Sequence, residues 1–259
     1  MAAAGAARRV DAERGAGAVL TIIRTVTETG STNADLLALA RNGSAQEGTW
    51  LRAERQQTGR GRQGRLWHSP EGNLYASTVV QLRPHDPAAA GLAMVAAVAI
   101  EETVGVFLDR AGWTGQRVLK WPNDLLLDGA KVSGILLERV GPAVVVGIGV
   151  NLQHHPELED RVATSLSAHG VSVAPDAFLT VLAESFARWL AGWRAEGLEP
   201  VRVRWLSRAH PRGTALSARL PDGQVLDGLF DGLDAHGALL LRLASGDRHV
   251  IHAGDVFHL

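Results

Sequence analysis

Cysteine is absent from this chain of 259 residues, and lysine occurs only twice. The absence of cysteine excludes disulfide scaffolds, thiolate metal sites and cysteine nucleophiles. Long apolar runs are missing too, because the longest, such as residues 92–100, fall far short of the ~20 residues that span a bilayer. Residues 1–20 are rich in Ala, Gly and Arg and lack the apolar core of a signal peptide, so we expect a flexible tail and a cytoplasmic protein with no membrane partner.

An excess of charge of either sign is also absent, since the chain has 26 basic and 27 acidic residues and a net charge of −1. This balance argues against a protein that binds nucleic acid or membranes with its whole surface, although a local basic patch remains compatible with it. Hydrophobic residues make up 46% of the chain, which is typical of a globular protein and too high for a disordered one.

The basic residues are divided very unevenly, because 24 of the 26 are arginine and only Lys120 and Lys131 are lysine. A genome biased towards arginine codons would produce this ratio without any functional cause. Alternatively, lysine is kept only where the flat fork of arginine cannot replace a compact ammonium group. Composition alone leaves both explanations open.

Apolar spacing predicts a mixture of strands and helices up to about residue 210. Strands are predicted where β-branched residues cluster, and helices where apolar residues recur at steps of three and four. The predicted strands are 21–26, 49–54, 73–82, 118–121, 124–127, 131–139 and 143–150. The predicted helices are 31–40, with Ser31 as N-cap, 88–108, 175–193 and 200–208.

The pattern changes after Pro211, where turn residues recur every 10–12 positions and no helical period remains. Such a pattern favours a small β-barrel of about fifty residues. We therefore predict three parts: a tail over 1–20, a large domain over 21–210 and a small domain over 211–259, with the boundary between residues 209 and 213.

An arginine- and glycine-rich segment runs from Gly59 to Trp67 and is the densest basic cluster in the chain. It matches the G-x-G-x-x-G dinucleotide fingerprint, but that fingerprint must open a helix, and residues 69–72, Ser-Pro-Glu-Gly, prevent one. Glycines let the backbone approach a ligand closely, and arginine forks bind carboxylate or phosphate oxygens. The segment therefore indicates an anionic ligand, with a solvated surface loop as the alternative.

Two further polar clusters lie at the ends of predicted strands. Lys120-Trp121-Pro122-Asn123-Asp124 places a cation, an amide and a carboxylate around a proline bend, and Lys131 follows seven residues later. Gly147-Ile148-Gly149-Val150-Asn151 ends another strand with an amide. Ligand sites often lie at such strand ends, although each glycine could serve packing and Asn151 could cap a turn.

These segments together resemble the biotin protein ligases, in the short form that has one function. The matching segments occur in the family's order: Ser31-Thr32-Asn33, Gly59–Trp67, Lys120–Asp124 with Lys131–Leu136, and Gly147–Asn151. Residues 253–256, Ala-Gly-Asp-Val, fit the family's small SH3-like domain. The implied fold class is α+β, a class II synthetase-like domain with a mixed sheet and flanking helices, followed by an SH3-like β-barrel.

The resemblance implies a two-step ligation. The carboxylate of biotin attacks the α-phosphorus of ATP and gives biotinyl-5′-adenylate and pyrophosphate. A lysine of a biotin carboxyl carrier protein, the partner in acetyl-CoA or a related carboxylase, then attacks the mixed anhydride and releases AMP. The implied cofactors are ATP and Mg²⁺, with Mg²⁺ held mainly by the phosphates and Asp124 as the candidate protein ligand.

The resemblance also assigns site residues. The implied catalytic residues are Arg62, Asp124 and Lys131. The implied biotin-binding residues are Ser31, Thr32, Asn33, Gln56, Gly59, Arg60, Arg62, Lys131, Gly134 and Gly149. The implied ATP- or adenylate-binding residues are Arg62, Arg65, Trp67, Asn123, Asp124, Lys131 and Asn151.

Two departures and two alternatives accompany this resemblance. Gln63 stands where many members have a third arginine, and nothing before residue 20 could form a winged helix-turn-helix, so we expect no specific DNA binding. The resemblance leaves a monomer and a homodimer open. A lipoate or octanoyl ligase or transferase shares the fold, but those ligases would not be expected to carry this loop, and the octanoyl transferase uses a cysteine. A nucleic-acid-binding regulator that uses the basic loop is the alternative of another class.

His154-His155 and His249-x-x-His252 lack a third ligand at usable spacing. We therefore expect no structural zinc site.

Overall fold

The computed structural model describes residues 21–158 and 162–259, so the tail predicted over 1–20 lies outside the described residues. The large domain contains β1 Ile22–Thr29, α1 Thr32–Arg41, β2 Thr49–Gln56, β3 Leu74–Gln81, α2 Gly91–Arg110, β4 Arg117–Lys120, β5 Asp124–Leu127, β6 Ala130–Val140, β7 Ala143–Val150, α3 Pro175–Glu196 and α4 Glu199–Leu206. The small domain contains β8 Ala215–Arg219, β9 Val225–Leu233, β10 Leu239–Arg242, β11 Arg248–Ile251 and β12 Asp255–His258. Short 3₁₀ turns lie at Arg62–Gly64 and Ser167–His169.

Seven strands of the large domain form one mixed sheet in the order β1-β2-β3-β7-β6-β5-β4. Only β1 and β2 pair in parallel, and helix α1 connects them. The remaining neighbours are antiparallel: short hairpins join β4 to β5, β5 to β6 and β6 to β7, whereas β3 pairs with β7 across a long stretch of sequence. The structure therefore confirms the predicted α+β class with a mixed sheet.

Helices α2 and α3 cover one face of this sheet, and α4 packs against these two helices to complete the main core. Side chains of α2 and α3, such as Val98 and Phe186, pack with Ile148 and Ile135 of the central strands. Helix α2 is long and apolar enough to cross a membrane by composition, but 78% of its most apolar window is buried inside the fold. Burial of this kind is typical of the core helix of a globular domain.

Helix α1 covers only part of the opposite face. Leu36 and Leu37 of α1 pack on Val79 and Val145, which face each other across β3 and β7. Because side chains alternate between the two faces of a strand, residues two and four positions further along β3 and β7 point to this same side. That part of the face lies beyond α1 and is the floor of the groove described below.

The small domain is a five-stranded antiparallel sheet in the order β11-β10-β9-β8-β12. It is joined to the large domain by direct contacts as well as by the chain. The indole of Trp121 donates a hydrogen bond to the carbonyl of Gly237 at 3.1 Å, and Arg202 of α4 donates to the carbonyl of Leu233 at 3.1 Å. These contacts fix the small domain beside the bend that contains Lys120–Asp124.

An ion pair ties helix α3 to the edge of the sheet. Arg194 donates to both carboxylate oxygens of Glu47 at 2.6 and 2.8 Å, and the amide of Gln81 donates to the same group at 2.8 Å. Burial alone would raise the pKa of Glu47, but these donors outweigh it and hold that pKa below its ordinary value.

We expect Glu47→Gln to lower the free energy of unfolding by about 2 kcal/mol near neutral pH, the usual size of a hydrogen bond to a charged group. A carboxylate whose pKa is lower in the folded state stabilises it above the unfolded pKa, and this stabilisation is lost as the pH falls through the folded pKa. Urea titrations should therefore show a large difference in the free energy of unfolding between wild type and Glu47→Gln at pH 7, and a small difference at pH 3. Glu28→Gln, which breaks an exposed pair with Arg55, is the control and should change little at either pH.

Candidate active site

Three glycines open a groove in the sheet face that α1 leaves uncovered. One row of residues crosses the sheet in register and consists of Tyr75, Gly149, Gly134, Asp124 and Lys120. Gly149 and Gly134 carry no side chain, so the groove runs from Tyr75 at one end to the charged side chains of Asp124 and Lys120 at the other. The sheet itself therefore sets a fixed distance between the two ends of the site.

The next row is shaped by the first turn of α1. The hydroxyls of Thr32 and Ser77 lie 2.7 Å apart, and Ser77 donates to Asn33 Oδ1 at 2.6 Å. Asn33 in turn donates to Glu138 at 2.8 Å, and a Cβ on Gly147 would lie only 2.2 Å from Asn33 Oδ1. Gly147 is therefore needed so that Asn33 can lie flat on the strand. The result is a polar wall with fixed donors and acceptors.

Gln56 connects this wall to the arginine-rich segment. Its Oε1 accepts from the amide of Thr32 at 2.9 Å, and its Nε2 donates to Ser69 Oγ at 3.2 Å. Ser69 donates to the carbonyl of Trp67 at 2.9 Å. Ser31 is the N-cap of α1, as predicted, but its hydroxyl makes no capping hydrogen bond and lies at the groove. The N-terminus of α1 thus presents polar groups to a ligand.

The segment from Gly59 to Trp67 folds as a tight hairpin and does not open a helix, which confirms that its glycine pattern is no dinucleotide fingerprint. The amide of Trp67 donates to the carbonyl of Gly59 at 2.9 Å, and the amide of Gly61 donates to the carbonyl of Arg65 at 2.7 Å. Gln63 has a φ of 57°, a conformation uncommon for residues with a side chain, and its amide oxygen accepts from Arg65 at 2.6 Å. Gln63 therefore helps to position Arg65.

The indole of Trp67 lies against the two glycines in the middle of the groove. A Cβ on Gly149 would lie 2.6 Å from the indole, and one on Gly134 would lie 3.1 Å from it. The indole Nε1 is buried and has no hydrogen-bond partner within the described residues. The glycine pair therefore allows a flat aromatic ring to lie along the groove floor.

We expect Gly149→Ala to lower the rate of the ligation that the sequence resemblance implies about 10- to 100-fold. Overpacking of this kind costs about 1–3 kcal/mol, because the indole of Trp67 has to leave the floor of the groove. The measurement is the ratio of the turnover number to the Michaelis constant, with circular dichroism to verify folding. Gly192→Ala is the matched control, since the nearest atom to that added Cβ is 4.0 Å away in helix α3. Equal rates for wild type and Gly149→Ala would contradict this account of the groove.

The bend after β4 brings the amide, the carboxylate and a lysine together. Lys131 Nζ lies 2.5 Å from Asp124 Oδ1 and 5.5 Å from the centre of the Trp67 ring. Asn123 donates to the carbonyl of Ile135 at 2.7 Å, and Arg62 donates to Asn123 Oδ1 at 3.3 Å. The hairpin and the bend, which lie 61 residues apart in the sequence at this contact, therefore meet with Lys131 in one charged cluster.

A change of register directs Lys131 into this cluster. Leu125 pairs with Ser133, whereas Leu126 pairs with Lys131, so one strand carries an extra residue at this point. Such a bulge turns a side chain away from its regular direction. The backbone of Lys131 is also fixed by hydrogen bonds with Val162 and Thr164, each 2.9 Å long. The backbone from which the Lys131 side chain extends is thus held in place on both sides.

The small domain closes the remaining side of the groove with β12. Asp255 forms ion pairs with Arg65 and, at 3.7 Å, with Arg62, and the carbonyl of Gly254 accepts from Arg62 at 3.2 Å. Lys120 Nζ lies 5.6 Å from the centre of the Phe257 ring. Burial lowers the pKa of Arg62, although the carboxylates of Asp255 and Asp124 oppose that effect.

The groove forms a cavity of about 480 Å³, a size typical of small-molecule sites. Five lysine and arginine side chains line it, compared with two carboxylates. Arg62, Arg65 and Lys120 lie at the end next to β12, whereas the neutral polar wall lies at the α1 end. This arrangement suits a ligand with one neutral polar part and one strongly anionic part.

Nearly all the residues predicted from the sequence line this one cavity. They are Ser31, Thr32, Asn33, Gln56, Arg60, Arg62, Arg65, Trp67, Asn123, Asp124, Lys131, Gly134, Gly149 and Asn151. Gly59 instead lies at the base of the hairpin, where a Cβ would be 2.6 Å from the carbonyl of Trp67. Four residues of the site and its supports were not predicted from the sequence: Ser77, Glu138, Asp255 and Phe257. Lys120 lines the cavity as well, without a role predicted from the sequence.

Within residues 21–158 and 162–259, no group of three or more His, Asp or Glu side chains is arranged to hold a metal ion. Asp124 and Asp255 are the carboxylates of the cavity wall. A Mg²⁺ ion usually keeps several waters and takes one or two carboxylates together with substrate phosphates. The donor set therefore fits Mg²⁺ carried in by a nucleotide and does not form a cage of its own.

Two family models match the chain, one within the large domain and one within the small domain. The model described as "Biotin/lipoate A/B protein ligase family" matches residues 25–153. The model described as "Biotin protein ligase C terminal domain" matches residues 217–259. The first range contains the hairpin, the bend and the groove strands, and the second contains Asp255 and Phe257.

Several characterised proteins and solved structures are similar to the chain. The biotin–[acetyl-CoA-carboxylase] ligase of Paracoccus denitrificans is 43% identical over 88% of this chain and 97% of its own length. The ligase of the same name from Mycobacterium tuberculosis is 37% identical over 95% of this chain and 92% of its own length. The biotin protein ligase of Aquifex aeolicus, solved in complex with biotin and ATP, shares the fold with a TM-score of 0.79 and 24% identity, over 92% of this chain and 99% of that one.

Proposed function

The chain belongs to the biotin/lipoate A/B protein ligase family, and we infer that it attaches biotin to a lysine of a biotin carboxyl carrier protein at the expense of ATP. One observation carries this inference. A single groove joins a neutral polar wall at the start of α1 to a cluster of cations at β12. A ureido ring with a carboxylate tail matches the first part, and a triphosphate matches the second.

We propose that the polar wall binds the ureido ring and that the chain of biotin follows the glycine floor. Thr32, Asn33 and Gln56 hold donors and acceptors in fixed positions, and the uncapped hydroxyl of Ser31 is available to the ligand. The carboxylate would then lie beside Lys131, at the centre of the groove. The hairpin backbone at Arg60 would cover the ring.

In the first step two anions have to approach each other, which requires compensation of charge and alignment. Lys131 would lie between the carboxylate and the α-phosphate, and Arg62 would bridge the α-phosphate and the outer phosphates from the hairpin side. Arg65 would bind the outer phosphates. Trp67 and Asn151 would line the nucleotide side of the groove. When bound with ATP, Mg²⁺ supplies further charge neutralisation, and Asp124 is the candidate protein ligand.

In the second step the acceptor lysine has to reach the mixed anhydride as a free amine. Asp124 is held by Lys131 in the absence of ligands. Once phosphate oxygens occupy Lys131, the Asp124 carboxylate can accept a hydrogen bond from the acceptor amine and orient it. The indole and glycine floor would keep water away from the anhydride, so that AMP leaves only when the amine attacks.

The direct test is incubation with biotin, Mg-ATP and an acceptor domain, followed by intact mass measurement. We expect the acceptor to gain the mass of one biotin, and lipoate in place of biotin to give no product. Labelling with lipoate alone would instead support the related ligase activity of the same fold. No labelling with either acid would contradict the assignment.

Three finer properties are also proposals. We propose that the protein does not bind specific DNA sequences, since Arg60, Arg62 and Arg65 of the basic hairpin line the cavity. Salt-titrated DNA binding would test this, and sequence-dependent affinity at physiological salt would contradict it. We propose a cytoplasmic location because ATP is available there. Sedimentation with and without biotin and ATP would decide between monomer and homodimer.

A further inference from the structure

Asp255 occupies the position between two arginines that a phosphate group would take. One carboxylate oxygen faces Arg62 and the other faces Arg65. All three side chains are largely shielded from water, with 16% exposure for Asp255, 24% for Arg62 and 37% for Arg65. Two guanidinium forks around one oxyanion is the arrangement by which proteins bind phosphates.

The backbone holds this carboxylate in place. Asp255 is the first residue of β12 and pairs with Arg219 of β8. The preceding Gly254 leaves no room for a side chain, because a Cβ there would lie 2.7 Å from the carbonyl of Arg219. The carbonyl of Gly254 also accepts from Arg62. Asp255 therefore cannot follow the arginines into the groove when they turn towards a ligand.

Asp255 and the phosphate groups of a ligand compete for the same two arginines. Asp124, the other carboxylate of the cavity wall, is already paired with Lys131. A triphosphate or a pyrophosphate needs Arg62 and Arg65, and its oxygens would repel a carboxylate that stays between the same two forks. Either Asp255 or the phosphates can hold the arginines at close range.

We propose that Asp255 is a positioning residue that competes with pyrophosphate for Arg62 and Arg65. This inference depends on the proposed ligase function. The entering triphosphate takes the arginines from Asp255. After the first step Asp255 takes them back, so that pyrophosphate leaves and the hairpin is again fastened to the small domain over the adenylate. Asp255 forms no bond to any substrate and moves no proton.

Calorimetric titration with sodium pyrophosphate, without Mg²⁺ or ATP, tests the competition directly. We expect Asp255→Asn to bind pyrophosphate at least tenfold more tightly than wild type, because one negative charge has gone. Asp255→Glu, which keeps the charge, should restore binding close to the wild-type level. Asp231→Asn is the control, since Asp231 pairs with Arg248 and Arg212 of the small domain and does not line the cavity.

Kinetics should show the same competition. In Asp255→Asn the inhibition constant for pyrophosphate in the overall reaction should fall by the same factor, and Asp255→Glu should restore it. Unchanged pyrophosphate binding would overturn the proposal. Weaker binding, above all in the presence of Mg²⁺, would also overturn it and would identify Asp255 as a metal ligand or as a group that merely organises the arginines.

A measurement on wild type guards against misfolding of the variant. If pyrophosphate takes Arg62 and Arg65 from Asp255, β12 loses its links to the hairpin, so its amides should exchange with deuterium faster when pyrophosphate is bound. Equal or slower exchange would refute the proposal. The two levels of inference can fail separately. Absence of biotin-dependent exchange between ATP and pyrophosphate in wild type would contradict the ligase function, whereas the binding results for Asp255→Asn would stand without it.

Discussion

Replacement of Lys131 by arginine should lower the rate of adenylation about 100-fold, although the positive charge is kept. Loss of one well-placed group that stabilises developing charge typically costs 10²–10³ in rate. The ammonium lies 2.5 Å from Asp124, and a Cβ on Gly134 would be 3.1 Å from it, so the space is closed on both sides. A longer, planar guanidinium would collide with the floor or push Trp67 away. Exchange of labelled pyrophosphate into ATP, started by biotin, measures this step.

A second variant separates the effect of the shape of the side chain from the effect of its charge. Lys131→Gln, which removes the charge, should lose at least as much activity as Lys131→Arg. If only Lys131→Gln is impaired, then charge alone matters and the argument from the confined space is wrong. Addition of preformed biotinyl-5′-adenylate should largely restore labelling of the acceptor in both variants, because the first step is then bypassed.

Much of the fold and of the site could be predicted from the sequence, because local signals point to the same structure at each place. The apolar spacing gave the strands and helices to within a few residues, and Ser31 was correctly predicted as the N-cap of α1. The proline bend and the paired glycines mark strand ends, where α/β proteins build ligand sites. Gly149 and Gly134 are register partners in the structure, which explains why both lack side chains.

The remainder depends on pairings that no local pattern encodes. Asp255 meets Arg65 across 190 positions of the chain, and Glu138 meets Asn33 across 105. Such contacts follow from the order of strands in the sheet and from the position of the small domain. The Ala253–Val256 segment was noticed only as part of a family pattern, since an aspartate at the start of a strand does not reveal its partner. Gly59 shows the same difficulty on a local scale, because close packing and close ligand approach both call for glycine.

Arg62→Gly should retain adenylation in part but release biotinyl-5′-adenylate before transfer, with a dissociation rate about 100-fold higher than in wild type. Arg62 joins the hairpin to three groups at once: Asn123, the carbonyl of Gly254 and Asp255. Loss of contacts made by a shielded, charged side chain costs 2–5 kcal/mol, which corresponds to a factor of about 30 or more. Without them the hairpin is free to open, and it is the hairpin that covers the groove.

Labelling of a protein that is not an acceptor measures this release. With biotin and ATP, Arg62→Gly should biotinylate surface lysines of added serum albumin, whereas wild type and the exposed control Arg55→Ala should not. The ligase itself carries only Lys120 and Lys131, so mass mapping of the enzyme shows how much escaping adenylate reacts within the cavity. If lysine scarcity protects the enzyme, albumin should be labelled while both of these lysines stay unmodified. Equal labelling of albumin by wild type and Arg62→Gly would show that contacts other than those of Arg62 retain the adenylate.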